Sequence, residues 1–136
     1  MARLYREAPL NSIWEGTSNM MCLDVLRAMQ REPGCRDAFM DELRQQQGQN
    51  ATFDRALGDL GSRLDRGLDG EGHARDVVTR MAYLLQASQM LAHSPASVAG
   101  MYIQTRLGGE WMHVYGTLPD SADIPGIVER AAVVKH

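Results

Sequence analysis

The stretch Leu10-Asn11-Ser12-Ile13-Trp14-Glu15-Gly16-Thr17-Ser18-Asn19 sets a large aromatic, a carboxylate and a glycine side by side, just ahead of a strongly apolar helical run. A loop that ends on a helix start can hold a side chain against the free N–H groups there, whose partial positive charge favours an anion. Gly16 lets the backbone turn or approach a ligand closely. Thr17 or Ser18 suits the cap of the following helix by accepting a bond from those donors. Glu15 is the group in the stretch that can take a proton. A single glutamate in a loop is ordinarily solvated and inert, so spacing alone assigns it no role.

The remaining chemistry-bearing residues form no second site. Cys22 and Cys35 lie thirteen residues apart, one within an apolar helix and one beside a Pro-Gly turn. Neither a disulfide framework nor a zinc site follows from that pair, and buried or incidental thiols are the plain reading. His73, His93, His113 and His136 are scattered without metal-ligand spacing, so no metal is expected.

The 136-residue length allows one domain, able to fold alone if its apolar faces all find partners. A formal charge of -3, with acids and bases interspersed, marks no polyanion binder. No stretch is long and apolar enough to span a bilayer, and the charged N-terminus lacks a secretory core, so no membrane association and a cytoplasmic location are the expectations.

The elements that must position Glu15 read as helices. Residues 2–9 suggest a short helical lead-in ahead of Pro9. From Ser18, the run Met20, Met21, Cys22, Leu23, Val25, Leu26, Met29 leaves only a narrow polar strip at Asp24, Arg27 and Arg31. That pattern predicts a core helix covered on most of its circumference. Pro33-Gly34 should end it. A more polar helix over about 35–47 should then offer Ala38, Phe39 and Leu43 to the core, before an exposed glutamine-rich connection. Phe53, Leu57, Leu60, Leu64 and Leu68 step by four, three, four and four residues, placing all five on one face.

A long helix over 71–93 is indicated by Val77, Met81, Leu84, Ser88 and Leu91, its apolar face widened by Val78 and Leu85. Ser94-Pro95 then suits an N-cap followed by a first helical position, opening a helix to about Leu107 that Gly108-Gly109 ends or kinks. Residues 110–118 have no clear pattern. Asp123 can cap a last short helix carrying Ile127, Val128 and Ala131. Strand alternation with hairpin turns is missing throughout, so the fold class is all-α. The architecture is a mostly antiparallel bundle of about five to six helices.

Tyr5-Arg6-Glu7-Ala8-Pro9 followed by Ile13-Trp14-Glu15-Gly16-Thr17 resembles the segment of the flavin-dependent acyl-CoA dehydrogenases that carries their catalytic base. More narrowly, Leu4 to Met21, Leu85 to Leu107, and Gly108-Gly109-Glu110-Trp111 through Tyr115-Gly116-Thr117-Leu118-Pro119 resemble the AidB-type branch, a relative of isovaleryl-CoA dehydrogenase. Members of the family are several times longer, and the resemblance covers only the last part of their C-terminal helical domain. The chain is therefore expected to be a C-terminal fragment or a truncated reading frame. Residues 1–19 would form the lead-in and the catalytic and FAD segment, and residues 20–136 the helical bundle.

The resemblance implies α,β-dehydrogenation of an acyl-CoA thioester, with Glu15 as the base that takes the proton beside the carbonyl. It places Gly16 where the backbone lies close to the substrate, and Trp14, Thr17, Ser18 and Asn19 at positions that contact FAD. Asn19 departs from the Gln or Glu of ordinary members, as in the AidB branch. The flavin's other contacts come from parts of the family absent here, so neither catalysis nor FAD binding is expected of the isolated chain. Two other classes follow from the same residues. One is a double-stranded DNA-binding region of an alkylation-response protein, implied by the AidB branch, although Arg55, Arg63 and Arg66 are offset by neighbouring aspartates. The other is a helical piece that associates into a homo-oligomer.

Overall fold

The computed structural model describes residues 2–12, 18–65, 71–109 and 116–132. Among them the chain is all-α, with seven α-helices and no strand. They are α1 (Ala2–Glu7), α2 (Ser18–Arg31), α3 (Pro33–Arg44), α4 (Ala51–Asp65), α5 (Ala74–His93), α6 (Ala96–Arg106) and α7 (Ile124–Ala131). Short 3-10 turns at Ala8–Ser12 and Glu71–His73 follow α1 and precede α5.

The bundle is built on α5, which packs against α2, α3, α4 and α6. Its inner face carries Ala74, Val77, Met81, Leu84, Ala87 and Ser88, all buried. Small residues at 74, 87 and 88 let neighbouring helices approach closely, while Met81 and Leu84 fill the space between them. Leu85, expected to widen this face, is instead 37% exposed. The leucine stripe of α4 is buried as its spacing predicts: Phe53 and Leu60 are fully covered, and Leu57 and Leu64 nearly so. Leu68, the stripe's last member, lies outside the described residues.

Helix boundaries at Pro33 and Ser94 differ from expectation for physical reasons. Pro33 stands in the first turn of α3 as well as closing off α2, with only Glu32 between the helices. A first-turn position has no use for the N–H that proline lacks. Asn50 caps α4, its Oδ1 accepting from the Thr52 and Phe53 amides at 2.9 and 3.1 Å. Ser94 is not the cap of α6. Its own N–H closes α5 on the Met90 carbonyl at 2.9 Å, and Pro95, with φ -55° and ψ 145°, takes the cap position. The dipeptide turns the corner as predicted, one residue out of register.

At the far end of α6, the Leu107 and Gly108 amides both donate to the Ile103 carbonyl at 2.9 Å. A Cβ at residue 108 would collide with the Gln104 carbonyl, and Gly109 has a φ of +81°. Glycine is therefore required where this helix stops. Asp123 caps α7 as expected, accepting from the Gly126 amide at 3.1 Å. That helix buries no residue, and Val128 is 62% exposed.

The expectation for α2 needs the largest correction. Its inward face of Cys22, Leu26 and Met29 is buried against α5 and α3, with Leu23 and Val25 partly covered. Met20 and Met21 remain 47% and 53% exposed, so α2 is a flank and α5 the core helix. On α3, similarly, Ala38 is exposed while Met40 and Leu43 are buried. The apolar count of α2 exceeds what its two neighbours can cover.

A consequence can be measured on the chain itself. Each fully covered side chain contributes roughly 1.5 to 3 kcal/mol, so joining the exposed α2 faces of two copies offsets part of the loss of rigid-body freedom. The isolated chain is expected to self-associate at several micromolar in sedimentation, and the paired change Met20→Ser, Met21→Ser to return it to monomer. A compact monomer that binds no hydrophobic dye would show that this face needs no partner.

Candidate functional site

The segment that carries the candidate chemistry enters the bundle at the first turn of α2. Of its expected members, Trp14, Glu15, Gly16 and Thr17 lie outside the described residues. Ser18 and Asn19 open α2, both exposed. The first turn of α2 stands beside the first turn of α5, where Asn19 and Arg75 meet. A cleft of about 400 Å³ lies between them, lined by Asn19, Cys22, Leu23, Gly72, Ala74 and Arg75.

Asn19 and Arg75 join across the mouth of this cleft. The guanidinium donates twice to Asn19 Oδ1, from Nε at 3.1 Å and from Nη2 at 2.5 Å. These residues are 56 positions apart, so the bonds tie α2 to α5 at the site. Cys22 and Leu23 supply an apolar wall beside the polar rim. A pocket with one apolar side and a few fixed polar groups is the usual form of a small-molecule or cofactor site. The donor set suits part of a polar cofactor: an amide and a guanidinium facing hydrogen-bond acceptors, with no acid among the lining residues named.

Arg75 was not among the residues expected at the site. Next to Asp76 in sequence, it reads as part of a solvated face of mixed charge. The structure gives Asp76 other partners: Arg80 at 3.0 Å and Arg63 at 3.2 Å. The hydrogen bond from Arg80 chiefly holds the Asp76 carboxyl below its ordinary range, and Arg63 adds to the effect. With Asp76 engaged there, Arg75 is left to turn toward α2.

Five further arginines bear on the nucleic-acid expectation, while Arg66 lies outside the described residues. Arg27 pairs with Asp24, Arg44 with Asp41, Arg63 and Arg80 with Asp76, and Arg36 with Asp65. Arg36 also donates to the Leu64 carbonyl at 3.3 Å, closing the C-terminal end of α4. Phosphate binding draws on cations free to meet a backbone, and these five are matched with acids. A second cleft, of about 280 Å³ between α4, α5 and the end of α6, mixes Arg55, Arg80 and Arg106 with Asp59 and Asp76. Its charge is mixed too. Among the described residues no group of histidine, cysteine or acidic side chains is placed to hold a metal, and no helix is long and apolar enough to cross a membrane.

No family model matches the chain, and no solved structure matches it. Among curated proteins it is 36% identical over 107 residues to the Escherichia coli (strain K12) protein named "Putative acyl-CoA dehydrogenase AidB". The match takes in 79% of this chain and 19% of that protein, so the chain spans about a fifth of its relative's length. Identity at this level over most of the chain agrees with the resemblance to the acyl-CoA dehydrogenases. Over that shared length the chain is similar to a part, and not the whole, of an AidB-type acyl-CoA dehydrogenase-like protein.

Proposed function

We propose that this chain is the C-terminal portion of an FAD-dependent acyl-CoA dehydrogenase-like protein, in which Glu15 removes the proton from the carbon next to the thioester carbonyl. The observation that carries this reading is the 36% match to AidB, which gives weight to the resemblance of Trp14-Glu15-Gly16-Thr17 to the family's base segment. The cleft at the start of α2 adds support, because Asn19 follows Glu15 by four residues and lines it.

In this reading each residue of the segment has a task. The Glu15 carboxylate takes the α-proton, and a site dry enough to raise its pKa toward neutrality makes it an effective base. Gly16, without a side chain, lets the substrate lie against the backbone. Trp14, Thr17, Ser18 and Asn19 face the cofactor. Bound flavin supplies the acceptor for the hydride that leaves the neighbouring carbon. Acyl-CoA is then the substrate, and a homo-oligomer is the assembly proposed for the complete protein. With Arg27, Arg36, Arg44, Arg63 and Arg80 paired to aspartates, the DNA-binding alternative has no comparable support.

The isolated chain holds one contact segment of the flavin pocket. It is therefore expected to purify colourless and to show no saturable FAD binding, whereas the full-length protein carrying it should retain flavin in stoichiometric amount. Absorbance spectra of the two preparations test this directly. A flavin band in the isolated chain would mean that these helices alone form the pocket. Its absence from the full-length protein would overturn the proposal.

A further inference from the structure

We infer that Arg75 is a positioning residue for the cofactor pocket, fixing the side chain of Asn19 so that its amide N–H₂ is offered to the ligand as a donor. The inference rests on the flavin reading above and adds a residue to it. Its basis is the pair of bonds from Nε and Nη2 of Arg75 to the one oxygen, Oδ1, at 3.1 and 2.5 Å.

The orientation follows from the chemistry of the two groups. A guanidinium carries donors only, and an asparagine amide carries an acceptor on one arm and two donors on the other. Arg75 therefore accepts only one of the two amide orientations, the one that turns oxygen toward it and nitrogen away. Two donors on one oxygen resist both the amide flip and rotation about the side chain. Asn19 lies in the first turn of α2 and Arg75 in the first turn of α5, so the clamp also sets the separation of the helix starts that flank the cleft.

The choice of asparagine matters. A carboxylate at position 19 would form an ion pair with Arg75, present acceptors on both arms and cancel the cation. Asparagine keeps the positive charge at the cleft and adds a neutral donor. Both features suit a ligand edge that carries acceptors or negative charge. Arg75 acts here through Asn19, at one remove from the ligand.

The test is a double-mutant cycle on FAD affinity in the full-length protein, with thermal unfolding run in parallel to confirm that each variant is folded. Losing the oriented donor should weaken FAD by about three- to tenfold in R75A and by a similar factor in N19A. The double variant should be no weaker than N19A, since one residue works through the other. R75K, which keeps one donor to Oδ1, should fall between wild type and R75A. In the isolated ¹⁵N-labelled chain, relaxation of the Asn19 side-chain amide should report a rigidly held group, and R75A should restore fast side-chain motion. Multiplying losses in the double variant, or unchanged affinity in R75A, would overturn the positioning role while leaving the flavin reading intact. Wild-type protein that binds no FAD would overturn both.

Discussion

Replacing Glu15 by Gln in the full-length protein is expected to lower acyl-CoA dehydrogenation by about 10²- to 10⁴-fold, the range that a positioned general base contributes. Flavin content should be unchanged, because glutamine keeps the shape and hydrogen-bonding reach of glutamate and loses only the ability to take the proton. The two readouts separate chemistry from structure. Lost turnover with flavin retained is the signature of a base; a parallel loss of flavin would give Glu15 a structural task. Exchange of the α-proton with solvent deuterium isolates the same step from hydride transfer, and E15Q should abolish that exchange as well.

The second large effect is on the fold. Leu60 is fully buried in the middle of the α4 stripe, with Phe53, Leu57 and Leu64 on the same face. Leu60→Ala should destabilise the isolated chain by about 2 to 5 kcal/mol, combining lost transfer energy with the cavity left behind. Single-domain stabilities run at roughly 5 to 15 kcal/mol, so the variant should unfold at much lower denaturant concentration. Urea unfolding followed by circular dichroism measures the difference. A change below about 0.5 kcal/mol, the level of ordinary surface substitutions, would contradict burial of this face.

What could be read in advance differed from helix to helix, and the differences have physical causes. The α4 stripe was legible because large apolar residues at helical spacing leave one face to bury. The Asp123 cap was legible because it is a local device, complete within four residues. The centrality of α5 was not, since its signal rests partly on the small residues Ala74, Ala87 and Ser88, which show their value only when neighbouring helices close on them. For α2 the sequence pattern could not distinguish a helix surrounded by its own chain from one with a face left exposed, and Met20 and Met21 belong to the second kind. Met40 was passed over for Ala38 because a polar helix offers too few apolar residues to define its inner face.

The candidate site divides in the same way. The role proposed for Glu15 and its neighbours comes only from resemblance to the acyl-CoA dehydrogenases, for one carboxylate in a loop carries no mechanism of its own. Asn19 enters the proposed site by that route. Arg75 does not, because its link to Asn19 spans 56 residues of sequence. Asp76, its neighbour in sequence, pairs with Arg63 and Arg80. A long-range hydrogen bond between two exposed polar side chains leaves no periodic trace, so only the packing of α2 on α5 reveals it.

The most direct test of the central claim, that this chain supplies the base of an acyl-CoA dehydrogenase site, is anaerobic titration of the full-length protein with a panel of acyl-CoA thioesters. The flavin absorbance is followed in wild type and in E15Q. At least one thioester should bleach the flavin band of the wild type, while the E15Q band stays oxidised at the same occupancy. A wild-type flavin that no thioester reduces, or an E15Q flavin reduced as fast as wild type, would contradict the account.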